Sequence, residues 1–197
     1  MKTAIIHSET SEKHNTGDGH PEQPKRVIAI KEKLKERKDL IWEKPDKVPE
    51  EILAMTHSKE YINNLKNSFP QKGFKFLDGD TVISPESKKA VFDAAGSTIA
   101  AIDGIENNQF KNAFCLARPP GHHAEKNKAM GFCCISNAGV AANYLINKYK
   151  YKRIACLDFD VHWGNGNYDV MRGNKNSLYI STHQYPFYPG GGTDKDK

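Results

Sequence analysis

Residues 153–163, RIACLDFDVHW, constrain the fold more than any other stretch of the chain. The run is apolar and β-rich, which reads as a buried strand over 153–161, yet it carries Asp158, Asp160 and His162 at alternating positions. In a strand, residues i, i+2 and i+4 point the same way, so these three share one face while Phe159, Val161 and Trp163 share the other. Without partners, buried ionised groups cost several kcal/mol each or are forced to take up protons. A divalent cation removes the conflict, because carboxylate oxygen and neutral imidazole nitrogen are both good ligands for an ion such as zinc. Gly164 ends the run, so the trio lies at the carboxyl end of its strand, where open α/β sheets place their chemistry. The competing reading is a set of core polar groups bonded to one another.

The rest of the chain supplies the sheet that such a strand needs. TAIIHS (3–8), AFCLA (113–117) and SLYISTH (177–183) are further short apolar strands. Between them lie helical patterns: one opened by Pro24, with Val27, Ile30 and Leu34 on one face, and two shorter ones over 50–56 and 58–68. Another is capped by Ser84, with Pro85 first, Glu86 in the first turn and Phe92, Ala95, Ile99 and Ile102 along one face to about 106; a last one covers 136–149. Short strands alternating with helices predict an α/β fold, a mostly parallel sheet with helices on both faces. The 197 residues fit one domain, and no linker or repeat divides them.

A second constellation follows strand AFCLA. In RPPGHH, Pro119 and Pro120 fix φ and Gly121 permits a sharp turn, so the backbone presenting His122 and His123 is stiff. Adjacent histidines on a rigid loop suit proton transfer, since each titrates near neutral pH and is tuned by its neighbours.

Composition excludes more than it proposes. The net charge of +5 arises from lysines interleaved with glutamates, as in KEKLKERK, the pattern of a solvated helix face and not of a nucleic-acid surface. No apolar run reaches membrane-spanning length, and the amino terminus lacks a signal-peptide core, which predicts a cytoplasmic protein with no membrane partner. Cys115, Cys133, Cys134 and Cys156 sit in apolar stretches without C-x-x-C spacing and read as buried thiols. No G-x-S-x-G, H-E-x-x-H or G-x-x-x-x-G-K occurs, which disfavours serine esterases, zincins and P-loop enzymes.

Taken in order, GHPEQPKR (19–26), DGDTVISPES (78–87), RPPGHHA (118–124), GFCCISN (131–137), LDFDVHWGNG (157–166) and STHQYPFYPGG (181–191) closely resemble the zinc-dependent histone deacetylase family. The likeness spans essentially the whole chain and is strongest to the class II-type branch, with its bacterial acetylpolyamine amidohydrolase and acetoin-utilisation relatives. It implies the arginase/deacetylase-like α/β fold, and an amidohydrolase acting on acetyl-lysine or acetylated polyamines.

By this resemblance Asp160 and His162 are two zinc ligands, with ferrous iron an alternative metal. His123 is the general base and then acid, His122 assists electrostatically, and Asp158 and Asn165 orient His122 and His123 respectively. A structural potassium ion falls to Asp158, Asp160, His162, Ser181 and Thr182. Phe132 and Tyr188 become walls of a tunnel for the acylated arm, with the backbone of Gly131 meeting its amide. An apolar slot of this kind suits a flexible aliphatic arm with a polar tip.

Three departures stand out. Trp163 occupies a position where many family members have a second histidine; it is expected to face away from the ligands and alter packing only. Asn167 replaces a common threonine. The third zinc ligand, an aspartate, and the tyrosine that hydrogen-bonds the oxyanion belong to later segments of the family and cannot be mapped. A catalytic zinc normally has three protein ligands. The chain therefore reads as a single, incomplete deacetylase-like domain, 1–197, truncated at its carboxyl terminus and inactive alone. The alternatives are a non-catalytic or split-domain binding module, or another metal hydrolase of the arginase-like fold. A homo-oligomer is left open.

Overall fold

The computed structural model describes residues 2–193 and residue 196. Their elements run β1 (Thr3–His7), α1 (Thr10–Lys13), α2 (Pro24–Lys35), β2 (Leu40–Glu43), α3 (Glu50–Thr56), α4 (Lys59–Ser68), β3 (Lys75–Phe76) and β4 (Val82–Ile83). They continue with α5 (Ser87–Glu106), β5 (Asn112–Leu116), α6 (Asn137–Asn147), β6 (Ile154–Asp158), α7 (Asn165–Met171) and β7 (Ser177–Ser181).

β1 lies between β2 and β5, parallel to both. Its side chains alternate between two helical layers, as the two-residue period requires. Ala4 and Ile6 pack with Ala101 of α5 and with Phe110, whereas Ile5 packs with Val27 of α2 and Leu116. Helices thus cover both faces here. Ile30 departs from expectation: Val27 is buried and Leu34 partly so, but Ile30 is 43% exposed on the open flank of α2. The largest apolar cluster joins α3, α4, α5 and α6 through Leu53, Ile62, Val91, Ile99 and Val140.

The single sheet expected from the sequence is divided among the described residues. β6 and β7 form a separate parallel pair, and β3 and β4 a short antiparallel hairpin. α6 contacts β6 and α7 contacts β7, leaving Ile154, Cys156 and Tyr179 half-buried. The other face is bare: Leu157 is 60% exposed, with Leu178 and Ile180 exposed beside it and Phe159 and Val161 exposed just beyond β6. An uncovered row of large apolar side chains of this kind marks an interaction surface.

Two boundaries move from their expected places. α5 begins at Ser87, not at Pro85: Ser84, Pro85 and Glu86 form a turn in which the Ser87 N–H donates to the Ser84 carbonyl at 3.1 Å. Ser87 Oγ also bonds His14 Nδ1 at 2.7 Å, which ties this turn to α1. β6 stops at Asp158, so Asp160 and His162 are not strand residues. Each carboxylate captures the amide two residues on: Asp160 N–H donates to Asp158 Oδ1 at 3.2 Å and His162 N–H to Asp160 Oδ1 at 2.8 Å. Such local bonds compete with a ladder and turn the chain.

Candidate active site

The loop after β5 carries the two histidines. Arg118 anchors it from below, where its guanidinium bonds Glu22 in bidentate fashion (Nε to Oε1 2.5 Å, Nη2 to Oε2 2.7 Å) and donates to the Ser11 and His14 carbonyls. Both members of the pair are buried. The stiffness expected of the two prolines is therefore reinforced by a buried ion pair that sequence reasoning missed.

Each histidine has a distinct partner. His122 Nδ1 lies 3.2 Å from Asp158 Oδ2, and His123 Nδ1 lies 2.8 Å from Asn165 Oδ1. An amide oxygen only accepts, so His123 carries its proton on Nδ1 and leaves Nε2 bare. Burial, helped by the neighbouring His122, pushes the His123 pKa down to about 4, which keeps the ring neutral at physiological pH. Burial pulls the Asp158 carboxyl upward, but hydrogen bonds from His122 and Tyr179 outweigh it, and the group stays ionised below its usual range. Asn165 is held in turn by Glu125, to which its Nδ2 donates at 2.7 Å.

Asp160 and His162 stand beside this pair. His162 Nδ1 is 3.1 Å from Asp160 Oδ1, and His122 Nε2 is 3.9 Å from the same oxygen. Two ligands at ordinary zinc distances on a tetrahedral ion are separated by about 3.4 Å, so this donor pair fits two corners of a zinc site. The described residues bring together no group of three or more His, Cys, Asp or Glu side chains able to hold a metal. The fit is thus partial, two ligands of the three that a catalytic zinc takes. The expected potassium residues are also neighbours: Asp158 pairs with Ser181 across β6 and β7, and its carbonyl accepts the Thr182 N–H at 3.0 Å. Ser181 Oγ is engaged with His183 Nδ1 at 2.8 Å.

The histidines face a cavity of about 680 Å³, which also takes in Gly131, Phe132, Asp160, His162 and Tyr188. Gly131 has φ +55°, and a Cβ there would fall 2.5 Å from His123 Cδ2, so only glycine lets the loop close onto the base. Phe132 follows at φ +69°, a strained value for an aromatic residue, with its N–H held by Thr81 Oγ1 at 3.0 Å and its ring edge-on to His20. Tyr188 meets the His123 ring edge-on at 5.0 Å and the His162 ring at 6.0 Å. Burial and the nearby Asp80 and Asp78 push its phenol up to about 12, so it is a neutral wall. A larger hollow of about 900 Å³ lies under Trp163 and Tyr168, but the paired histidines do not line it. Trp163 packs there against Gly191, where a Cβ would fall 1.9 Å from the indole.

Sequence reasoning overlooked three further residues. Tyr179 donates to Asp158 Oδ2 at 2.8 Å; it sits two residues before Ser181 on the same strand face, a signal that alternation offered. Asn167, singled out above only as a replacement for threonine and without a role, bonds both Asp158 and Ser136. His57 is fully buried and bridges the Glu125 carbonyl (Nδ1, 2.9 Å) and the Ser136 N–H (Nε2, 3.0 Å); a lone histidine between two helical patterns carries no sign of this.

Comparisons with known proteins bear on the family and the fold. Residues 20–197 match the histone deacetylase domain. The chain is 40% identical to the uncharacterized protein slr0245 of Synechocystis sp., over 98% of this chain and 65% of that protein. It is 34% identical to a probable deacetylase of Archaeoglobus fulgidus, over 98% of this chain and 54% of that one. The crystal structure of the HDA15 HD domain superposes with a TM-score of 0.92 at 32% identity, covering 99% of this chain and 57% of that chain. The chain spans between about half and two thirds of the length of these relatives. It belongs to the histone deacetylase family.

Proposed function

We propose that the chain carries most of the active site of a zinc-dependent deacetylase that removes acetyl groups from acetyl-lysine or acetylated polyamines. The observation that carries this reading is the convergence, on one cavity, of two differently partnered histidines with the Asp160–His162 donor pair. His123 is the base: its Nε2 is bare and its ring neutral, so it takes a proton from the attacking water and returns it to the leaving amine. Asn165 fixes its tautomer. His122, tied to ionised Asp158, stabilises charge as the proton moves. Phe132 and Tyr188 flank the aliphatic arm, and Gly131 presents its backbone to the amide. Asp160 and His162 would supply two ligands to a zinc ion, or to ferrous iron in its place, and the bound ion would supply Lewis-acid polarisation of the carbonyl and acidification of the water. Asp158, Ser181 and Thr182, neighbours across β6 and β7, would hold a structural potassium ion.

We further read the chain as an incomplete domain, on the strength of the bare β6–β7 face and the two-ligand donor pair. Among the described residues no helix is long and apolar enough to cross a membrane. The test is an assay of the purified chain, with zinc and potassium, against a fluorogenic acetyl-lysine peptide and acetylputrescine. The expected result is negligible turnover with less than one zinc retained per chain. Turnover at the level of a complete enzyme would overturn the reading of incompleteness.

A further inference from the structure

Asp158 holds His122 through one oxygen, and that oxygen is shared. Oδ2 receives His122 Nδ1 at 3.2 Å, the Tyr179 hydroxyl at 2.8 Å and Asn167 Nδ2 at 3.3 Å. A carboxylate only accepts, so the Asn167 amide nitrogen must be the group turned toward it. The opposite end of the same carboxamide, Oδ1, accepts the Ser136 hydroxyl at 2.8 Å, which is consistent with that orientation. The Asn167 backbone N–H, meanwhile, donates to the His122 carbonyl at 3.0 Å. Asn167 is buried, and so is Ser136, whose hydroxyl also caps α6 by accepting the Gly139 N–H. Gly164 leaves the approach clear, since a Cβ there would lie 2.3 Å from Asp158 Oδ2 and 3.2 Å from His122 Nδ1.

We propose that Asn167 is a positioning residue for the His122–Asp158 pair: its main chain holds the histidine backbone while its side chain holds the carboxylate, so that one residue fixes both ends of the bond. The proposal rests on the reading of His122 as a participant in proton handling, and adds to it a residue that touches neither substrate nor metal. The carboxamide reaches the two partners with a separate acceptor and donor, Oδ1 toward Ser136 and Nδ2 toward Asp158, and so spans the gap between them. Tyr179 supports the same oxygen from β7, so the pair is braced from two elements.

The test reads the tautomer of His122 directly and needs no turnover. In the metal-free chain, ring ¹⁵N–¹H correlation spectra at pH 8 should show His122 as one tautomer, protonated on Nδ1. Asn167→Ala should replace this pattern with a mixture of tautomers while backbone amide dispersion remains that of the wild type. Asn167→Ser, which shortens the side chain without emptying the site, should give the same loss if the alanine variant fails to fold. Tyr179→Phe should shift the pattern in the same direction, less far. A single Nδ1-protonated tautomer persisting in folded Asn167→Ala or Asn167→Ser would overturn the proposal. Because no acyl substrate is used, that result would leave the deacetylase reading standing, and failure of the deacetylase reading would leave this one standing.

Discussion

His57 makes the pH dependence of stability a test of the scaffold under the site. Its Nδ1–H donates to the Glu125 carbonyl and its Nε2 accepts the Ser136 N–H, so the fold needs the neutral ring. A proton on Nε2 would set two donors against each other in a buried place. Burial accordingly pushes its pKa down to about 4, from 6.5 in the unfolded chain. The folded value is depressed, so the stabilisation is complete above 6.5 and is lost as pH falls toward 4. At 1.36 kcal/mol per unit, the loss from His57 alone between pH 7 and pH 4 is roughly 3 kcal/mol. His123, at about 4, and His14, pushed to about 3 by burial and by Arg118, titrate in the same direction, so the total dependence does not isolate one residue. His57→Gln does: glutamine donates and accepts without titrating. Urea denaturation at half-unit intervals from pH 7 to pH 4 should show the variant losing about 3 kcal/mol less than the wild type. Parallel curves for the two proteins would refute the argument.

Three other outcomes follow from particular contacts. Glu22→Leu strands the buried Arg118 guanidinium and should cost roughly 3–5 kcal/mol, whereas the double variant Glu22→Leu/Arg118→Met should recover much of this in the same urea assay. Gly131→Ala drives a methyl into His123 at a positive φ; it should destabilise by about 1–3 kcal/mol and displace the His123 ring resonances. Leu157→Lys with Leu178→Lys should leave stability within about 0.5 kcal/mol and raise the solubility of the chain, because both side chains stand in solvent. Sedimentation at increasing concentration would read the last effect.

The periodic elements were legible in the sequence because each buries a face of its own. The strand runs at 3–8, 113–117 and 177–183 and the helices opened by Pro24 and Ser136 lie within a few residues of where alternation and capping place them. β2 and the β3–β4 hairpin were not legible, being four and two residues long and half-exposed or paired only with each other. The length of β6 was misread for an instructive reason. Alternation continues through His162, but Asp158 and Asp160 turn the backbone by bonding amides two residues ahead, so Asp160 and His162 leave the strand. The pairing of His122 and His123 with their partners could be assigned from sequence only through resemblance. The pairing of Asp158 with His122 joins positions 36 residues apart, and that of Asn165 with His123 joins positions 42 apart, distances over which no local pattern carries information. Asn167 and His57 were beyond reach altogether, since their roles exist only once α3, α6 and α7 have met.

The most direct test of the central claim is turnover in a completed domain. A chimera continuing this chain with the part of the Synechocystis protein that lies beyond the matched span would be loaded with zinc and assayed on the acetyl-lysine peptide, beside its His123→Ala variant. The account predicts zinc-dependent deacetylation by the chimera and a loss of roughly 10²-fold or more in the variant. A folded, zinc-loaded chimera whose activity is unchanged by His123→Ala would contradict it.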